Sequence, residues 1–222
     1  MQFVSSPPNL PNLLPREVRL RSMPIAANVL PAVERALVSR AVPKRQREFA
    51  TGRVLARSLL HDLGVEVHAI GQSQDRTAIW PEGIVGSISH CDDLCVAAVG
   101  RKSDGIRSVG IDVESADPLP RELWEEVARD TEAANQVGNV VSHGIAMRRL
   151  FSAKEAFYKC VFPVIKQNLE FHDVEVNFSR RYERFSAMVM TSTIDCIRDA
   201  DSIEGRQCAS ARWIISATIW RR

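Results

Sequence analysis

The sequence has no run of about 18 consecutive apolar residues, the length that a membrane-spanning helix requires. Its amino terminus also lacks the basic-then-apolar pattern of a secretory signal peptide. The five cysteines form no C-x-x-C pair and show no zinc-like spacing with histidine. We therefore expect a cytoplasmic protein without membrane association. Its cysteines are predicted to be reduced thiols: Cys91, Cys95, Cys160, Cys196 and Cys208.

An excess of charge of one sign is missing as well. The 29 basic and 27 acidic side chains leave a net charge of +2, which is too small to indicate nucleic-acid binding. The local balance differs, because seven basic residues and one acid, Glu48, lie between Arg35 and Arg57. With 222 residues, 45% of them apolar and 25% charged, the composition is that of an ordinary globular protein with one large or two small domains.

Two carboxylates stand out in the segment V-G-I-D-V-E at 109–114. As a strand, this segment places Val109, Ile111 and Val113 on one face and Asp112 and Glu114 on the other. Carboxylates on one face repel each other unless the face is solvated or a cation lies between them. Since no histidine or cysteine lies alongside in this pattern, the favoured cation is a hard one such as Mg²⁺.

A third carboxylate lies in a segment where apolar residues recur at helical spacing, from Leu150 to Val161. This helix leaves Glu155 and Lys159 one turn apart on a more polar face. Each pattern alone has a simpler interpretation. An Asp-x-Glu pair is more often a solvated strand face, and a Glu-to-Lys pair four residues apart is a common surface ion pair worth about 0.3 to 0.5 kcal/mol. Neither pattern establishes a site by itself.

The first half of the chain is predicted to mix short strands with two helices. Six prolines before residue 32 predict an extended arm over 1–31. Helices are predicted around 33–38 and from Pro43 to the C-cap Gly64. The remaining predictions are a strand over 65–70, a polar loop over 71–76, a turn over 80–83 and a hairpin of strands over 85–90 and 94–99.

The second half is predicted to follow a hinge over 101–107. After the strand over 109–114, the pattern predicts a helix over 123–134, a break over 138–144 and a helix over 150–162 that ends at Pro163. Strands over 173–178, 185–190 and 213–220 complete the chain, with polar linkers between them. The predicted fold class is α+β.

Three motifs resemble those of the 4′-phosphopantetheinyl transferases in order and spacing. They are G-S-I-S-H-C at 86–91, V-G-I-D-V-E at 109–114 and F-S-A-K-E-A-F-Y-K at 151–159. The segments K-R-Q-R-E-F at 44–49 and D-R at 75–76, followed by W-P-E-G at 80–83, resemble the enterobactin-synthase component D subgroup of the Sfp-type branch. The resemblance covers about 40–163 and is weaker in the strands that follow. Together these motifs are far more specific than any one of them.

The resemblance implies a pseudo-dimer of two similar α+β halves, which we place at 1–105 and 106–222, with the active site in the cleft between them. It also implies that the chain transfers the 4′-phosphopantetheine group of coenzyme A to a serine of an apo acyl or peptidyl carrier protein. Adenosine 3′,5′-bisphosphate would be released. Such carriers serve siderophore, polyketide, nonribosomal peptide and fatty-acid synthesis, and the family implies a monomer.

By the same resemblance, Asp112, Glu114 and Glu155 hold Mg²⁺, which binds the pyrophosphate and offsets the charge that grows on the leaving phosphate. Glu155 is also placed to take the proton of the carrier serine. Lys159 is expected to neutralise the pyrophosphate, so Asp112, Glu155 and Lys159 also count as coenzyme A-binding residues. Lys154 faces elsewhere and is expected to support the site.

Five further residues match family positions that bind coenzyme A phosphates. Ser89 and His90 match positions that hydrogen-bond a phosphate, although the chemistry of His90 alone would equally favour a structural histidine. The guanidinium groups of Arg45, Arg53 and Arg76 match positions that bind the 3′-phosphate of the adenosine, whose charge suits planar donors.

Two alternatives from other classes remain open at this stage. Acidic metal ligands and the basic segment from Arg35 to Arg57 would also serve a Mg²⁺-dependent nucleic-acid enzyme. Aromatic residues are not interleaved with that segment for base stacking, which counts against this interpretation. The second alternative is a protein that binds coenzyme A without transfer.

Overall fold

Two antiparallel sheets, each packed against one long helix, form the body of the protein. The computed structural model describes residues 10, 13–26, 29–135, 142–190 and 203–221. Short 3-10 helices cover Lys102–Asp104, Arg121–Leu123 and Phe171–Asp173. The helices and strands follow one another as β1 (Arg19–Pro24), α1 (Ala32–Leu37), α2 (Pro43–Asp62), β2 (Gly71–Gln72), β3 (Ala78–Ile79), β4 (Ile84–Cys91), β5 (Leu94–Arg101), β6 (Ile106–Ser115), α3 (Trp124–Val127), α4 (Asp130–Asn135), α5 (His143–Ile165), β7 (Val174–Phe178), β8 (Arg184–Val189), β9 (Ile203–Ala209) and β10 (Trp213–Arg221).

The first sheet has the strand order β1-β5-β4 and packs against α2. The helix begins with Pro43, whose missing N–H is not needed in a first helical turn. It ends before Gly64, which has a φ of 71°, a conformation that glycine adopts without strain. Leu55, Leu59 and Val99 are fully or almost fully buried where the helix meets the sheet. The predicted helix from Pro43 to Gly64 is confirmed.

The second sheet has the strand order β6-β10-β9-β8-β7, and α5 lies across it. Leu150, Phe157 and Trp220 are completely buried between the two. The predicted helix over 150–162 is confirmed but is longer, because it begins at His143 and runs past Pro163. Pro163 lies inside the helix although it has no N–H to donate, and the helix closes with the N–H of residue 166 donating to the carbonyl of residue 162 at 2.9 Å.

The two sheets meet where β4 runs beside β6. Hydroxyl groups on β4 join them, since Ser87 Oγ accepts from the N–H of Ile111 at 3.1 Å. Each half thus consists of one antiparallel sheet and one long helix, which confirms the predicted α+β fold of two similar halves. The division at residues 105 and 106 remains a prediction.

Six predicted strands are confirmed and correspond to β4, β5, β6, β7, β8 and β10. The strand predicted over 65–70 is wrong. The apolar residues there pack against α2 as part of its core. Their backbone bonds go elsewhere, because Val65 donates to the carbonyl of Leu60 at 2.9 Å and Ile70 donates to the carboxylate of Glu34 at 2.7 Å. The packing of Val65 therefore needs no sheet partner. Strand β2 begins only at Gly71, within the predicted polar loop over 71–76.

Strand β9 was not predicted. Its sequence I-E-G-R-Q-C-A contains residues with weak strand propensity, so the local signal is poor. It forms because β8 and β10 offer backbone partners on both sides. Gly205 faces the ring of Phe185, and the buried Gln207 donates a side-chain hydrogen bond to Ser216 Oγ at 2.8 Å. Tertiary context therefore overrides propensity here.

The single helix predicted over 123–134 is wrong in part, because the chain forms the short helices α3 and α4 with extended backbone at Ala128 between them. The carboxylate of Glu132 accepts from the N–H of Arg129 at 2.9 Å, which caps the second helix. The ammonium of Lys154 donates a hydrogen bond to the carbonyl of Val127 at 2.9 Å. These side chains replace the bonds of a continuous helix.

Several predictions fall wholly or partly outside the described residues. Cys196 and most of the break over 138–144 do so, as do parts of the arm over 1–31, whose described portion contains β1. The predicted helix around 33–38 is confirmed as α1. Among the helices described, none has the length and apolar character needed to cross a bilayer.

The carboxylate of Glu34 is completely buried, where it accepts bonds from Arg57 and from the N–H of Ile70. Removing it leaves both donors without this partner, so we expect Glu34→Ala to lower the free energy of unfolding by about 3 to 5 kcal/mol. Asp62→Ala removes an exposed carboxylate that pairs with Arg21 at 2.8 Å, and should cost at most about 1 kcal/mol. Urea unfolding of both variants measures the difference, and equal losses would contradict it.

Candidate active site

Three elements bring a small set of polar side chains together where the two halves meet. Strand β4 supplies Ser89, β6 supplies Asp112, and α5 supplies Lys159. The helix approaches β6 closely because Gly110 has no side chain. A Cβ atom there would lie 1.9 Å from the carbonyl oxygen of Ala156, far closer than non-bonded carbon and oxygen atoms can approach. This contact places Lys159 directly over Asp112.

Asp112 is the centre of the group and is only 2% exposed. Its Oδ1 accepts from Lys159 Nζ at 2.6 Å and from Ser89 Oγ at 3.1 Å. Its Oδ2 is buried and has no hydrogen-bond partner within the described part of the chain. A buried carboxylate oxygen without a partner is costly, so this atom is available to an added cation or donor.

Glu114 lies two residues further along β6 and is held by Arg148, whose Nη1 donates to Glu114 Oε2 at 2.9 Å. Burial raises the pKa of Glu114 to about 7, and the charge of Asp112 adds to the shift, whereas Arg148 opposes it. An additional positive charge nearby would therefore stabilise the ionised form of Glu114. Arg148 is a neighbour that the sequence did not reveal.

Glu155 lies one turn before Lys159 on α5, and its Oε2 is 3.8 Å from Lys159 Nζ. Burial raises the pKa of Glu155, while Lys159 opposes the shift and Asp112 adds to it. For Lys159 itself, burial lowers the pKa, but the charges of Asp112 and Glu155 outweigh burial and raise it. The ammonium therefore stays charged between two acids.

The three predicted metal ligands are Asp112, Glu114 and Glu155, and all three lie in the same region. Within the described ranges, however, no three acidic, histidine or cysteine side chains converge at ligand distances. Lys159 forms an ion pair with Asp112 and Arg148 forms one with Glu114, so each of these two acids is neutralised by its own cationic side chain. The donor set is nonetheless suited to Mg²⁺, because it consists of carboxylate oxygens and includes the unpartnered Oδ2.

A second cluster lies at the end of β4 beside α2. Arg45 Nη1 is hydrogen-bonded to His90 Nε2, and His90 Nδ1 is 3.5 Å from Glu48 Oε2. Since a guanidinium only donates, His90 Nε2 is the acceptor and the ring proton is on Nδ1. Burial, followed by the charge of Arg45, lowers the pKa of His90, so the ring is neutral at pH 7.

Arg53, predicted to bind the same anion as Arg45, is buried and engaged elsewhere. Its Nε donates to the carbonyl of Ile70 at 3.1 Å and its Nη2 to the carbonyl of Gly71 at 3.3 Å. The guanidinium also stacks 4.4 Å from the ring centroid of Phe49, and burial lowers its pKa to about 10. These bonds fix the segment that leads into β2, and because Arg53 also lines the cleft described below, its phosphate-binding role stays a prediction.

Arg76 lies on the exposed loop between β2 and β3 and has a φ of 66°. The preceding Asp75 organises this loop, because its carboxylate accepts from Ser73 and Thr77. Lys166, the residue after α5, donates to Asp75 Oδ2 at 3.0 Å. These hydrogen bonds hold the pKa of Asp75 well below its usual range. The loop is thus joined to the second half across the cleft.

A cleft of about 620 Å³ lies between the Arg45 and His90 cluster, the β2–β3 loop and Lys159. One wall comes from α2 and β4, another from the β2–β3 loop, and a third from the end of α5. The cationic and histidine side chains on its surface include Arg45, Arg53, Arg76, His90 and Lys159. A cleft with this lining is suited to an elongated ligand that carries several phosphates.

Lys154 does not reach the cleft described above. Its ammonium is buried and donates to Glu132 at 2.6 Å and to the carbonyls of Val127 and Phe171. Burial lowers the pKa of Lys154, and the hydrogen bond that Lys154 donates to Glu132 opposes the shift. The expected supporting role is therefore a structural one, which ties α5 to α3 and α4.

Sequence reasoning missed three residues that shape the site. Glu48 orients His90 and Arg45; it lies in the segment at 44–49 but was assigned no role. Ser87 lies in the motif at 86–91 and was also assigned no role, and Arg148 had no signal, because each acts through a contact between elements that are distant in sequence.

Two family models match the chain. The family model of the 4′-phosphopantetheinyl transferase N-terminal domain matches residues 33–100, and that of the 4′-phosphopantetheinyl transferase superfamily matches residues 108–210. The chain is 35% identical over 193 residues to the 4′-phosphopantetheinyl transferase Svp of Streptomyces mobaraensis, covering 83% of this chain and 76% of that protein.

Two other relatives match over shorter segments. Identity to the 4′-phosphopantetheinyl transferase PptT of Mycobacterium tuberculosis is 40% over 145 residues, which is 65% of this chain and 63% of that protein. Identity to enterobactin synthase component D of Escherichia coli is 33% over 119 residues, or 52% and 54% of the two chains. The chain therefore spans less than two thirds of the mycobacterial protein and about half of the enterobactin component.

Proposed function

Because the chain belongs to the 4′-phosphopantetheinyl transferase superfamily, we propose that it transfers the 4′-phosphopantetheine group of coenzyme A to a serine of an apo carrier protein. The observation that carries this proposal is Asp112, whose buried Oδ2 has no hydrogen-bond partner in the described part of the chain while Lys159 holds its Oδ1. These groups lie beside a cleft lined by several cationic side chains. That combination suits chemistry on a pyrophosphate.

In the proposed reaction, the carrier serine Oγ attacks the phosphorus that bears the pantetheine group. The new Oγ–P bond replaces the bond from that phosphorus to the bridging oxygen of the pyrophosphate. Adenosine 3′,5′-bisphosphate leaves with the electron pair of that bond. Glu155 takes the proton from Oγ, a role that suits a carboxylate one helical turn from Lys159.

The remaining charged groups stabilise the phosphates. Asp112, Glu114 and Glu155 would hold Mg²⁺. Glu155 would then be both a ligand of the ion and the base that accepts the serine proton. When bound, the ion polarises the pyrophosphate and neutralises the negative charge that develops on the leaving group. Lys159, which is bound to Asp112 and lies 3.8 Å from Glu155, would neutralise charge on the pyrophosphate.

The second cluster, at the end of β4 beside α2, would bind the 3′-phosphate of the adenosine. Arg45 and the neutral His90 lie together there, and Arg76 extends from the β2–β3 loop. Arg53 contributes mainly by fixing the approach to that loop, since its guanidinium donates to two carbonyls. Glu48 aligns the histidine ring through Nδ1.

This arrangement predicts that coenzyme A binding is accompanied by proton uptake. The low pKa of His90 arises from burial and from Arg45 and Lys159, while Glu48 and Asp112 oppose the shift. A bound phosphate adds negative charge, raises that pKa and favours protonation, so affinity should increase as the pH falls from 8 towards 6. Calorimetry in buffers of different ionisation enthalpy measures the uptake.

The control is His90→Ala, because phosphate groups of coenzyme A also titrate in this range. This variant should take up fewer protons at pH 7 and should raise the KM for coenzyme A more than it lowers kcat. Equal proton uptake by both proteins, or a pure kcat defect, would contradict this role for His90.

We propose that the natural acceptor is a carrier domain of a siderophore, polyketide, nonribosomal peptide or fatty-acid synthase. The name of the Escherichia coli relative places that protein in enterobactin synthesis, which favours a siderophore carrier here. We further propose that the chain acts as a cytoplasmic monomer.

The experiment that tests the proposed function measures adenosine 3′,5′-bisphosphate by liquid chromatography after incubation with coenzyme A, Mg²⁺ and an apo carrier. Release should require the carrier and should stop with EDTA. Release without a carrier would indicate hydrolysis of coenzyme A. No release with peptidyl, polyketide and fatty-acid carriers would indicate a non-catalytic coenzyme A binder, and the proposal would fail.

A further inference from the structure

We infer that the ion pair of Asp75 and Lys166, which we call the clasp, ties the β2–β3 loop to the end of α5 and slows the release of coenzyme A from the cleft. This makes Lys166 a positioning residue for the loop that carries Arg76. The inference rests on the proposed function, since that function supplies the ligand. It is carried by a contact that joins the two halves of the chain.

The β2–β3 loop is a closed unit built around one carboxylate oxygen. Asp75 Oδ1 accepts from Ser73 Oγ, from Thr77 Oγ1 at 2.6 Å and from the N–H of Thr77 at 3.1 Å. The N–H of Ser73 also donates to the carbonyl of Thr77 at 3.0 Å. The loop therefore keeps its shape through Oδ1, which leaves Oδ2 for a contact outside the loop.

That outside contact is with Lys166, whose Nζ donates to Asp75 Oδ2 at 3.0 Å. Lys166 directly follows α5 in the left-handed conformation, with a φ of 54°, and its N–H donates to the carbonyl of Phe162 at 2.9 Å. Its ammonium also lies 5.4 Å from the centroid of the Phe162 ring. The cationic end of the clasp is therefore anchored on the helix that carries Lys159, about two turns earlier.

The β2–β3 hairpin has few attachments to the rest of the protein. Its strands form a separate two-stranded sheet that belongs to neither of the large sheets. Among the described residues, the hairpin over 71–79 is hydrogen-bonded to the rest of the chain at two points. Arg53 donates to the carbonyl of Gly71 at its base, and Lys166 donates to Asp75 at its tip. Within that part of the chain, the clasp alone fixes the tip.

Both partners of the clasp line the cleft, whose walls include the loop and the end of α5. A bond between two walls keeps them together, so a ligand leaves faster when that bond is missing. The effect is limited because the side chains of Lys166 and Asp75 are 56% and 31% exposed, and exposed ion pairs commonly change an equilibrium by at most about fivefold. Asp75 stays charged at neutral pH, because the hydrogen bonds from Ser73, Thr77 and Lys166 hold its pKa well below its usual range.

A direct role of Lys166 as a phosphate ligand is the alternative, and Asp75→Asn distinguishes the two. The amide oxygen of asparagine can still accept at the Oδ1 position, but its NH₂ group presents only donors to the ammonium. The loop is thus retained while the clasp is lost. If the clasp retains the ligand, release becomes faster. If Lys166 binds a phosphate, the freed ammonium makes release slower.

The experiment measures the dissociation of coenzyme A that is labelled with a fluorophore on its thiol and displaced by unlabelled coenzyme A in a stopped-flow instrument. Lys166→Met and Asp75→Asn should each raise the dissociation rate about two- to fivefold. The double variant should be no faster than the faster single one, because both substitutions remove the same bond. The matched controls are Arg21→Met and Asp62→Asn, which break an exposed ion pair of 2.8 Å outside the cleft lining and should leave the rate unchanged.

A second readout uses the protein without a ligand. Hydrogen–deuterium exchange, followed by mass spectrometry over 71–79, should be about two- to fivefold faster in Lys166→Met and Asp75→Asn than in the unchanged protein. The two controls should exchange at the unchanged rate, and thermal unfolding verifies that every variant is folded. If the unchanged protein binds coenzyme A but modifies no carrier, the proposed function fails, and both readouts still decide the role of the clasp.

Three results would overturn the inference. Slower dissociation from Asp75→Asn would make Lys166 a phosphate ligand. Effects of the two single variants that multiply in the double variant would show that the two residues act separately. Exchange over 71–79 that is unchanged in Lys166→Met would show that the ion pair does not hold the loop.

Discussion

Asp112→Ala should abolish phosphopantetheine transfer at any Mg²⁺ concentration while the protein remains folded. The substitution removes both the buried unpartnered oxygen and the acceptor that holds Lys159. We expect kcat to fall by at least about 10²- to 10³-fold, since groups that stabilise transition-state charge commonly contribute this much. The fold should survive because Glu155 lies 3.8 Å from Lys159 and continues to balance its charge.

Asp112→Asn makes the test sharper. The amide oxygen can still accept from Lys159 and Ser89, so the shape and these two hydrogen bonds are retained, but an amide nitrogen replaces the free oxygen. This variant should therefore be as inactive as Asp112→Ala and more stable. Asp93→Asn, at an exposed carboxylate that pairs with Arg212, is the matched control and should be fully active. Transfer by Asp112→Asn near the unchanged rate would show that Oδ2 is not a ligand.

Gly110→Ala should prevent stable folding. The added Cβ would lie 1.9 Å from the carbonyl oxygen of Ala156 and 2.6 Å from the backbone nitrogen of Cys160. Both are helix backbone atoms, so α5 would have to move away from β6 as a whole. We expect a loss of more than about 5 kcal/mol, which is comparable to the entire stability of many domains. Circular dichroism and urea unfolding measure it.

The same substitution at Gly64 separates this clash from the general effect of replacing glycine. Gly64 has a φ of 71°, but a Cβ there would meet nothing within 4 Å. Gly64→Ala should therefore cost only about 1 to 2 kcal/mol of left-handed backbone strain. If Gly110→Ala were no more destabilising than Gly64→Ala, the close approach of α5 to β6 would be wrong, and with it the reason that Lys159 reaches Asp112.

Local patterns in the sequence were sufficient for the elements that carry the site. The alternation in β6, the paired apolar runs of β4 and β5, and the helical spacing in α5 each depend on neighbours close in sequence. They therefore predicted Asp112 on a strand and Lys159 on a helix. The contact of 2.6 Å between the two side chains was not predictable, because it depends on Gly110 allowing the helix close to the strand.

The features that were missed or wrong depend on contacts between distant segments. Strand β9 has a weak local pattern and forms because strands lie on both sides of it. The apolar pattern over 65–70 predicts a strand, but the N–H of Ile70 donates to the buried carboxylate of Glu34 and not to a neighbouring strand. For the same reason the sequence could not show that Arg53 donates to backbone carbonyls or that Arg148 holds Glu114.

The metal site illustrates the limit for side chains. The sequence suggested a set of three carboxylates, and the fold brings Asp112, Glu114 and Glu155 into one region. Their present partners are Lys159 and Arg148, so assembly around an ion requires these cationic groups to give way. The free energy for that rearrangement would come from the ion and the pyrophosphate, which no pattern of residues encodes.

Intact-mass spectrometry of an apo carrier protein, incubated with this protein, coenzyme A and Mg²⁺, tests the central claim most directly. We expect each carrier molecule to gain the mass of a single phosphopantetheine group. The gain should disappear with EDTA, with Asp112→Asn, and with a carrier whose acceptor serine is replaced by alanine. An unchanged carrier mass with every carrier class, from a folded protein that binds coenzyme A, would contradict the claim.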